Sequence, residues 1–160
     1  MRSEQEVNRA LERYADMVRR ICMLHLKNFA DTEDIFQTVF LKYALSSVPF
    51  ESEEHEKAWL IRVTVNACKD LLKSFFRSRT VPLDEAVGRP ALPPPDHREV
   101  LEAVLSLPAK YKDVVYLYYY EDYTAPQISR ILGKNLNTVY TLLTRSKKIL
   151  QDKLGGGGDA

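Results

Sequence analysis

Cysteine and histidine are scarce in this chain. Its 160 residues include two cysteines, Cys22 and Cys68, and three histidines. Neither cysteine has a second cysteine or a histidine at metal-ligand spacing, so we expect two small buried side chains rather than a zinc site or a disulfide framework. The histidines are scattered, with no nucleophile or paired acid at a catalytic spacing. The sequence therefore predicts no catalytic residues, no metal site and no cofactor.

Long apolar runs are also missing. No stretch approaches the roughly 20 apolar residues that are needed to cross a bilayer. The beginning of the chain, MRSEQEVNRA, is too polar for a signal peptide. We therefore expect no membrane insertion and a cytoplasmic protein. The formal net charge of +1 is close to neutral, so binding to nucleic acid would depend on a local basic patch.

Prolines are concentrated in one stretch, Thr80 to His97, which reads TVPLDEAVGRPALPPPDH. Proline removes a backbone donor and favours extended chain, so this stretch does not form a helix. We predict an all-α protein with helical domains at residues 1–79 and 98–154, a flexible linker at 80–97 and a disordered glycine-rich tail at 155–160. The alternative is one compact bundle that holds a long loop, but structureless loops of this length are uncommon in compact domains.

The segment from Tyr123 to Leu154 predicts a helix-turn-helix. Thr124 is placed to cap the first helix, Gly133 to end it and Asn135 to cap the second. The second helix has an apolar stripe of Leu136, Val139, Leu142, Leu143, Ile149 and Leu150. Its other face carries Asn137, Thr138, Tyr140, Thr141, Thr144, Arg145, Lys147 and Lys148. Hydroxyls, an amide and cations suit base edges and phosphates of duplex DNA. A helical hairpin with a solvated polar face is the alternative.

Three helices are predicted in the first domain. The first runs from about Glu4 to Lys27, and the second, DTEDIFQTVFLKYAL, begins at Asp31 or Thr32. An acid-rich loop, Pro49 to Glu56, precedes the third helix, EKAWLIRVTVNACKDLLKSFFRSR. Trp59 lies near cations in this helix, where it either stacks on unpaired bases or belongs to the core. The residues alone leave both interpretations open.

These segments together resemble the bacterial sigma-70 family, in particular its extracytoplasmic-function group. DTEDIFQTVFLKYAL resembles region 2.2, and EKAWLIRVTVNACKDLLKSFFRS resembles regions 2.3 and 2.4 with their Ala-Trp-Leu-x-x-Ile-x-x-Asn core. The segment from VLSLPAKYKDVV to TRSKKIL is similar to region 4, including the Leu-Pro before its second helix. The order and spacing of these motifs cover nearly the whole chain outside the linker and the tail.

The resemblance implies a transcription initiation factor without enzymatic activity. Its partners would be core RNA polymerase and promoter DNA, with the minus-thirty-five element read as duplex and the minus-ten element melted and read. A cognate anti-sigma factor is left open as a further partner. The alternative is a helix-turn-helix repressor or activator that acts without docking on core polymerase.

The resemblance also implies a role for individual residues. The polymerase-binding residues would be Asp34, Gln37 and Phe40. The minus-ten residues would be Trp59, Arg62, Asn66, Lys69 and Lys73, beside a loop at Pro49–Glu56 that captures a flipped base. The minus-thirty-five residues would be Asn137, Thr138, Tyr140, Thr141, Arg145 and Lys148.

Some positions depart from the family pattern. Thr38 stands where a glutamate is usual, which affects one polymerase contact. Tyr140 and Leu142 replace positions that often carry lysine and arginine, so we expect a less basic groove face and an unusual upstream promoter sequence. The aromatic run from Tyr116 to Tyr120 is expected to belong to the core and the flank of a helix.

Overall fold

The computed structural model describes residues 1–78 and 102–155. All regular elements within these residues are helical, which confirms the predicted all-α class. The chain divides into two compact units, Met1–Pro90 and Ala91–Ala160. The predicted linker at 80–97 lies outside the described residues, as does the predicted tail from residue 156 onward, so both stay predictions.

The first unit contains three helices, α1 (Glu4–Leu26), α2 (Phe29–Leu45) and α3 (Glu53–Ser78), each in contact with the other two. Its interior is apolar and includes the fully buried side chains of Val18, Cys22, Val39, Leu60, Ile61 and Cys68. Both cysteines are buried, as the sequence predicted, and no disulfide joins them. Burial of these apolar faces is what holds the three helices together.

Helix α2 begins earlier than predicted. The sequence placed its start at Asp31 or Thr32, whereas the helix begins at Phe29. Asn28 is its N-cap, because the Asn28 side-chain oxygen accepts a hydrogen bond of 3.0 Å from the Asp31 backbone N–H. Helix α1 ends just before, with Lys27 in the left-handed conformation at φ 57°. The connection between the two helices is therefore very short.

Helix α3 also begins earlier than predicted, and the loop before it is shorter than the predicted Pro49–Glu56. The helix starts at Glu53, because the Ser52 hydroxyl accepts a 3.1 Å hydrogen bond from the His55 backbone N–H. Three acids occupy the first turn, where the helix dipole favours negative charge. The connection between α2 and α3 consists of residues 46–52.

The second unit contains α4 (Ala109–Val115), a π-helical turn (Tyr116–Tyr120), α5 (Ala125–Leu132) and α6 (Leu136–Gly155). Residues 102–105 are helical as well. The interior of this unit includes the buried side chains of Val114, Leu117, Ile128 and Val139. Helices α5 and α6 form the predicted helix-turn-helix.

The capping residues of the helix-turn-helix are those that the sequence predicted. The Thr124 hydroxyl accepts a hydrogen bond from the Gln127 N–H, and the Gln127 side chain accepts one from the Thr124 N–H, which forms a capping box. Gly133 ends α5 with φ 67°, a conformation that glycine adopts without steric cost. The Asn135 side chain caps α6 by accepting a 2.8 Å hydrogen bond from the Asn137 N–H.

The predicted buried stripe of α6 is wrong at one position. Leu136 is 37% exposed, so it does not belong to the buried stripe of α6. Ser146 of the same helix is fully buried. Its hydroxyl donates a 2.9 Å hydrogen bond to the Leu143 carbonyl, so the buried polar group is satisfied. In the aromatic run, Tyr116 and Leu117 are buried, whereas Tyr118, Tyr119 and Tyr120 are exposed.

Candidate functional site

One side of α2 is exposed and combines polar with apolar residues. Asp34 and Gln37 are both exposed and lie about one turn apart, while Ile35 and Val39 point into the core as predicted. At the next turns of the same side, Leu41 is 60% exposed and Leu45 is 59% exposed. We call Asp34, Gln37, Leu41 and Leu45 the α2 face. The sequence prediction did not include the two leucines, although their spacing from Asp34 and Gln37 indicates the same side of the helix.

Phe40 does not lie on the α2 face. Its side chain is 6% exposed, with its ring centroid 4.9 Å from that of Phe36 and 6.4 Å from that of Tyr43. It therefore packs beneath the helix instead of presenting a surface. Thr38 is exposed, but its hydroxyl donates a 3.0 Å hydrogen bond to the Asp34 carbonyl of its own helix. The position where the family that the sequence resembles usually has a glutamate thus carries a side chain that bonds its own helix backbone.

An ion pair joins α1 to α2 beside the α2 face, at Glu33, the residue before Asp34. The Arg19 Nε donates a 2.8 Å hydrogen bond to the Glu33 carboxylate, and a second guanidinium nitrogen donates to its other oxygen at 3.2 Å. This hydrogen bonding raises the pKa of Arg19. The same guanidinium lies 3.9 Å from the ring centroid of Phe36. A planar bidentate contact of this kind restrains orientation as well as distance.

The predicted minus-ten residues lie along one side of α3. The residues are Trp59, Arg62, Asn66, Lys69 and Lys73, which recur every three or four positions. Arg62, Asn66 and Lys73 are exposed, and Trp59 and Lys69 are partly exposed. The opposite sides of α3 are buried through Leu60, Ile61, Thr64, Val65 and Cys68. The helix therefore gathers an aromatic ring, an amide and three cations on a single accessible strip.

Trp59 belongs to an aromatic cluster. Its ring lies 6.1 Å from that of Tyr43 and 5.7 Å from that of Phe50, in edge-on geometry. The Tyr43 and Phe50 rings are nearly parallel at 6.2 Å. Trp59 therefore packs on these rings and remains partly exposed, and its stacking on unpaired bases stays a prediction. Sequence reasoning missed Tyr43 and Phe50, because contacts between a helix, a loop and a second helix leave no local pattern.

The Tyr43 hydroxyl is the polar end of this cluster and donates a hydrogen bond to the Glu56 carboxylate. Burial raises the pKa of Tyr43, and the bond to Glu56 raises it further. The hydroxyl is therefore protonated at neutral pH and acts as a donor. This bond links the end of α2 to the first turn of α3.

In the second unit, α6 presents the predicted polar face to solvent. All six predicted residues are exposed: Asn137, Thr138, Tyr140, Thr141, Arg145 and Lys148. The Tyr140 side chain is 51% exposed, whereas Val139 and Leu142 are buried against the rest of the unit. Leu142 is therefore a core residue, and the expectation that it makes the groove face less basic is wrong. Tyr140 alone of that pair lies on the exposed face.

Residues 1–78 and 102–155 contain neither a group of metal ligands nor a membrane-spanning helix. In this part of the chain, no group of three or more His, Cys, Asp and Glu side chains is arranged to hold a metal ion. None of the helices there combines the length and the apolar character of a membrane span.

Family models match both units of the chain. The model described as Sigma-70 region 2 matches residues 10–79, and that described as Sigma-70, region 4 matches residues 97–150. RNA polymerase sigma factor SigV of Bacillus subtilis (strain 168) is 32% identical over 139 residues, which cover 84% of this chain and 82% of SigV. ECF RNA polymerase sigma factor SigW of the same strain is 25% identical over 160 residues, which cover 88% of this chain and 84% of SigW.

A solved structure has the same fold. The sigma factor RpoE from Bartonella quintana, crystallised in complex with the anti-sigma factor NepR, superposes with a TM-score of 0.74. The match covers 94% of this chain and 97% of RpoE at 18% sequence identity. At that identity the likeness shows the fold alone.

Proposed function

This chain belongs to the sigma-70 family of RNA polymerase sigma factors, in its extracytoplasmic-function group, and from that premise we propose how its surfaces divide the work of initiation. The α2 face binds core RNA polymerase. The strip on α3 opens and reads the minus-ten element, and the exposed face of α6 reads the minus-thirty-five element as duplex. The observation that carries the proposal is the α3 strip, because its chemistry is suited to unpaired DNA.

The chemistry of the α3 strip matches what strand opening requires. A partly exposed aromatic ring, as at Trp59, offers a surface on which a base can stack after it leaves the duplex. The exposed amide of Asn66 can both donate to and accept from a base edge. Arg62, Lys69 and Lys73 carry the positive charge that a single-stranded backbone attracts.

The α2 face suits a protein partner better than DNA. It carries a carboxylate, an amide and two leucines, and no cation is among these four residues. Exposed leucines at successive turns of a polar helix are typical of a protein interface. We therefore assign Asp34, Gln37, Leu41 and Leu45 to polymerase docking. Phe40 supports them from beneath.

The role proposed for the chain is that of an initiation factor and not of an enzyme, and its place is the cytoplasm, where core polymerase and promoters meet. A regulatory partner is part of the proposal. RpoE, which has the same fold, was crystallised in complex with the anti-sigma factor NepR, and we propose that an anti-sigma factor also binds this chain.

Run-off transcription tests the proposed function directly. Core RNA polymerase with the purified chain should start transcription at discrete sites on genomic fragments, and core polymerase without it should not. The chain should also co-purify with core polymerase. A protein that binds specific DNA fragments but neither joins core polymerase nor directs initiation would be a helix-turn-helix regulator, and the proposal would be wrong.

On the exposed face of α6, alanine substitutions of Arg145 and Lys148 should distinguish base reading from phosphate binding. Arg145→Ala should cost roughly 1–3 kcal/mol on the preferred upstream sequence if the guanidinium reads a base edge, and should relax the preference at one position. Lys148→Ala should weaken binding about evenly across sequences and reduce the salt dependence by about one unit of slope. Competition binding of the holoenzyme to upstream DNA variants at several salt concentrations measures both. Lys153→Ala, an exposed cation on the last turn of α6, is the control. Equal, sequence-blind losses for both variants would make Arg145 a phosphate contact.

A further inference from the structure

The side chain of Arg2 is buried at the junction of α1, the end of α2 and the loop 46–52. It is 9% exposed, although arginine is rarely buried unless it is paired. Its Nε donates a 3.1 Å hydrogen bond to the Tyr43 carbonyl, and a terminal guanidinium nitrogen donates to the Val48 carbonyl. The Arg2 backbone N–H donates a 2.8 Å hydrogen bond to the Ala44 carbonyl. A residue distant in sequence thereby donates to the Tyr43 and Ala44 carbonyls, which lie in the last turn of α2.

The guanidinium of Arg2 also contacts the aromatic cluster. Its central carbon lies 4.7 Å from the ring centroid of Tyr43 and 4.6 Å from that of Phe50. Cation–π contacts strengthen as the cation loses solvent, and only 9% of the Arg2 side chain remains exposed. The Glu6 carboxylate, 3.5 Å away, balances the charge. Arg2 thus holds one ring from α2 and one from the loop in a fixed relation.

Both of these rings contact Trp59. Phe50 also meets His55 edge-on at 5.3 Å, and the Glu51 backbone N–H donates a 3.1 Å hydrogen bond to His55 Nδ1. The loop 46–52 is therefore held at both of its ends, by Arg2 on one side and by the first turn of α3 on the other. The contacts from Arg2 reach Trp59 through a single intervening ring.

We propose that Arg2 is a positioning residue for minus-ten recognition: it fixes the loop 46–52 and the Trp59 ring in the arrangement that receives an unpaired base. The inference rests on the proposed role of the α3 strip. Arg2 itself does not contact DNA, since its side chain is buried and its donors bind protein carbonyls. Pre-organisation of this kind lowers the entropy that is lost when the base is captured.

Trp59 is the only tryptophan of the chain, so its fluorescence reports the cluster without any assay of activity. Arg2→Ala should shift Trp59 emission to longer wavelength and increase its quenching by acrylamide, with helix content unchanged. Arg2→Lys retains the charge but loses the planar guanidinium, and should give a smaller shift in the same direction. Arg9→Ala, an exposed arginine of α1, is the matched control and should leave Trp59 emission as it is. An emission spectrum that is unchanged in Arg2→Ala would overturn the proposal.

A second experiment measures promoter opening by the holoenzyme, on the strongest template found by run-off transcription. Arg2→Ala should slow opening of the duplex promoter by roughly tenfold, below the hundredfold that a misplacement of 1 Å can cost a reacting site. It should also narrow the difference in opening between that promoter and its single-base minus-ten variants. Binding to core polymerase should match that of the Arg9→Ala control.

Comparing Arg2→Ala with Asn66→Ala separates the role of Arg2 from the role of the α3 strip. If Asn66→Ala impairs opening while Arg2→Ala opens and discriminates normally, the α3 strip stands and the role of Arg2 is wrong. If both variants open the promoter normally, the assignment of the α3 strip is wrong, and the positioning role of Arg2 is wrong with it. If Arg2→Ala lowers opening equally on all minus-ten variants and on a pre-melted promoter, its effect is on general stability and the proposal is overturned.

Discussion

Replacing Asp34 and Gln37 with alanine is expected to weaken binding to core RNA polymerase by roughly 10- to 100-fold, the range for residues near the centre of a protein interface. Both side chains are exposed in the free protein, so their removal leaves no cavity and no unpaired buried group. The midpoint of thermal unfolding should therefore not change. Competition of each variant with the unaltered chain for core polymerase measures the relative affinity.

Leu41→Asp is the sharper companion variant. Leu41 is already 60% exposed, so a carboxylate there costs little in the free protein, whereas it would have to be desolvated against an apolar partner surface. We expect a loss of affinity at least as large as that of the double variant. Gln5→Ala with Asp16→Ala provides the control, because these residues have the same side chains and are exposed on α1. If the control and the double variant bind core polymerase equally well, the docking surface lies elsewhere.

The helix-turn-helix was predictable because its signals are local. Thr124, Gly133 and Asn135 act on backbone groups within three residues of themselves, so their residue types suffice to place the turn. The starts of α2 and α3 were misplaced by two or three residues, although Asn28 and Ser52 carry the same type of signal. In both cases a capping residue farther upstream was overlooked in favour of a later acid.

The contacts around the candidate site were beyond reach of the sequence for a different reason. Arg2 meets Val48 across 46 positions, and Tyr43 meets Glu56 across 13, so no periodicity encodes either pair. Phe40 is a different case, because the rings that it contacts, Phe36 and Tyr43, lie on its own helix at a spacing of four and three residues. Spacing placed Asp34 and Gln37 on one side of α2, and Arg62, Asn66 and Lys69 on one side of α3. Spacing could not predict the contacts of Trp59 with Tyr43 and Phe50.

In the α3 strip, alanine substitutions of Trp59 and Asn66 are expected to impair the protein in different ways. Trp59→Ala should lower the free energy of unfolding by about 1–3 kcal/mol, since the ring packs on Tyr43 and Phe50. Asn66→Ala should leave stability unchanged, because the side chain is exposed. On a duplex promoter both should slow opening, by a factor that corresponds to roughly 1–3 kcal/mol for each lost base contact.

A promoter with a pre-melted bubble separates the two roles. The bubble removes the need for an aromatic ring that replaces lost stacking, so it should restore most of the activity of the Trp59→Ala holoenzyme. Base reading is still required on such a template, so the Asn66→Ala holoenzyme should remain impaired. Asn8→Ala, an exposed asparagine on α1, is the matched control and should open both templates normally. Permanganate reactivity of unpaired thymines measures opening, and normal reactivity with Asn66→Ala on the duplex promoter would show that this strip does not read the minus-ten element.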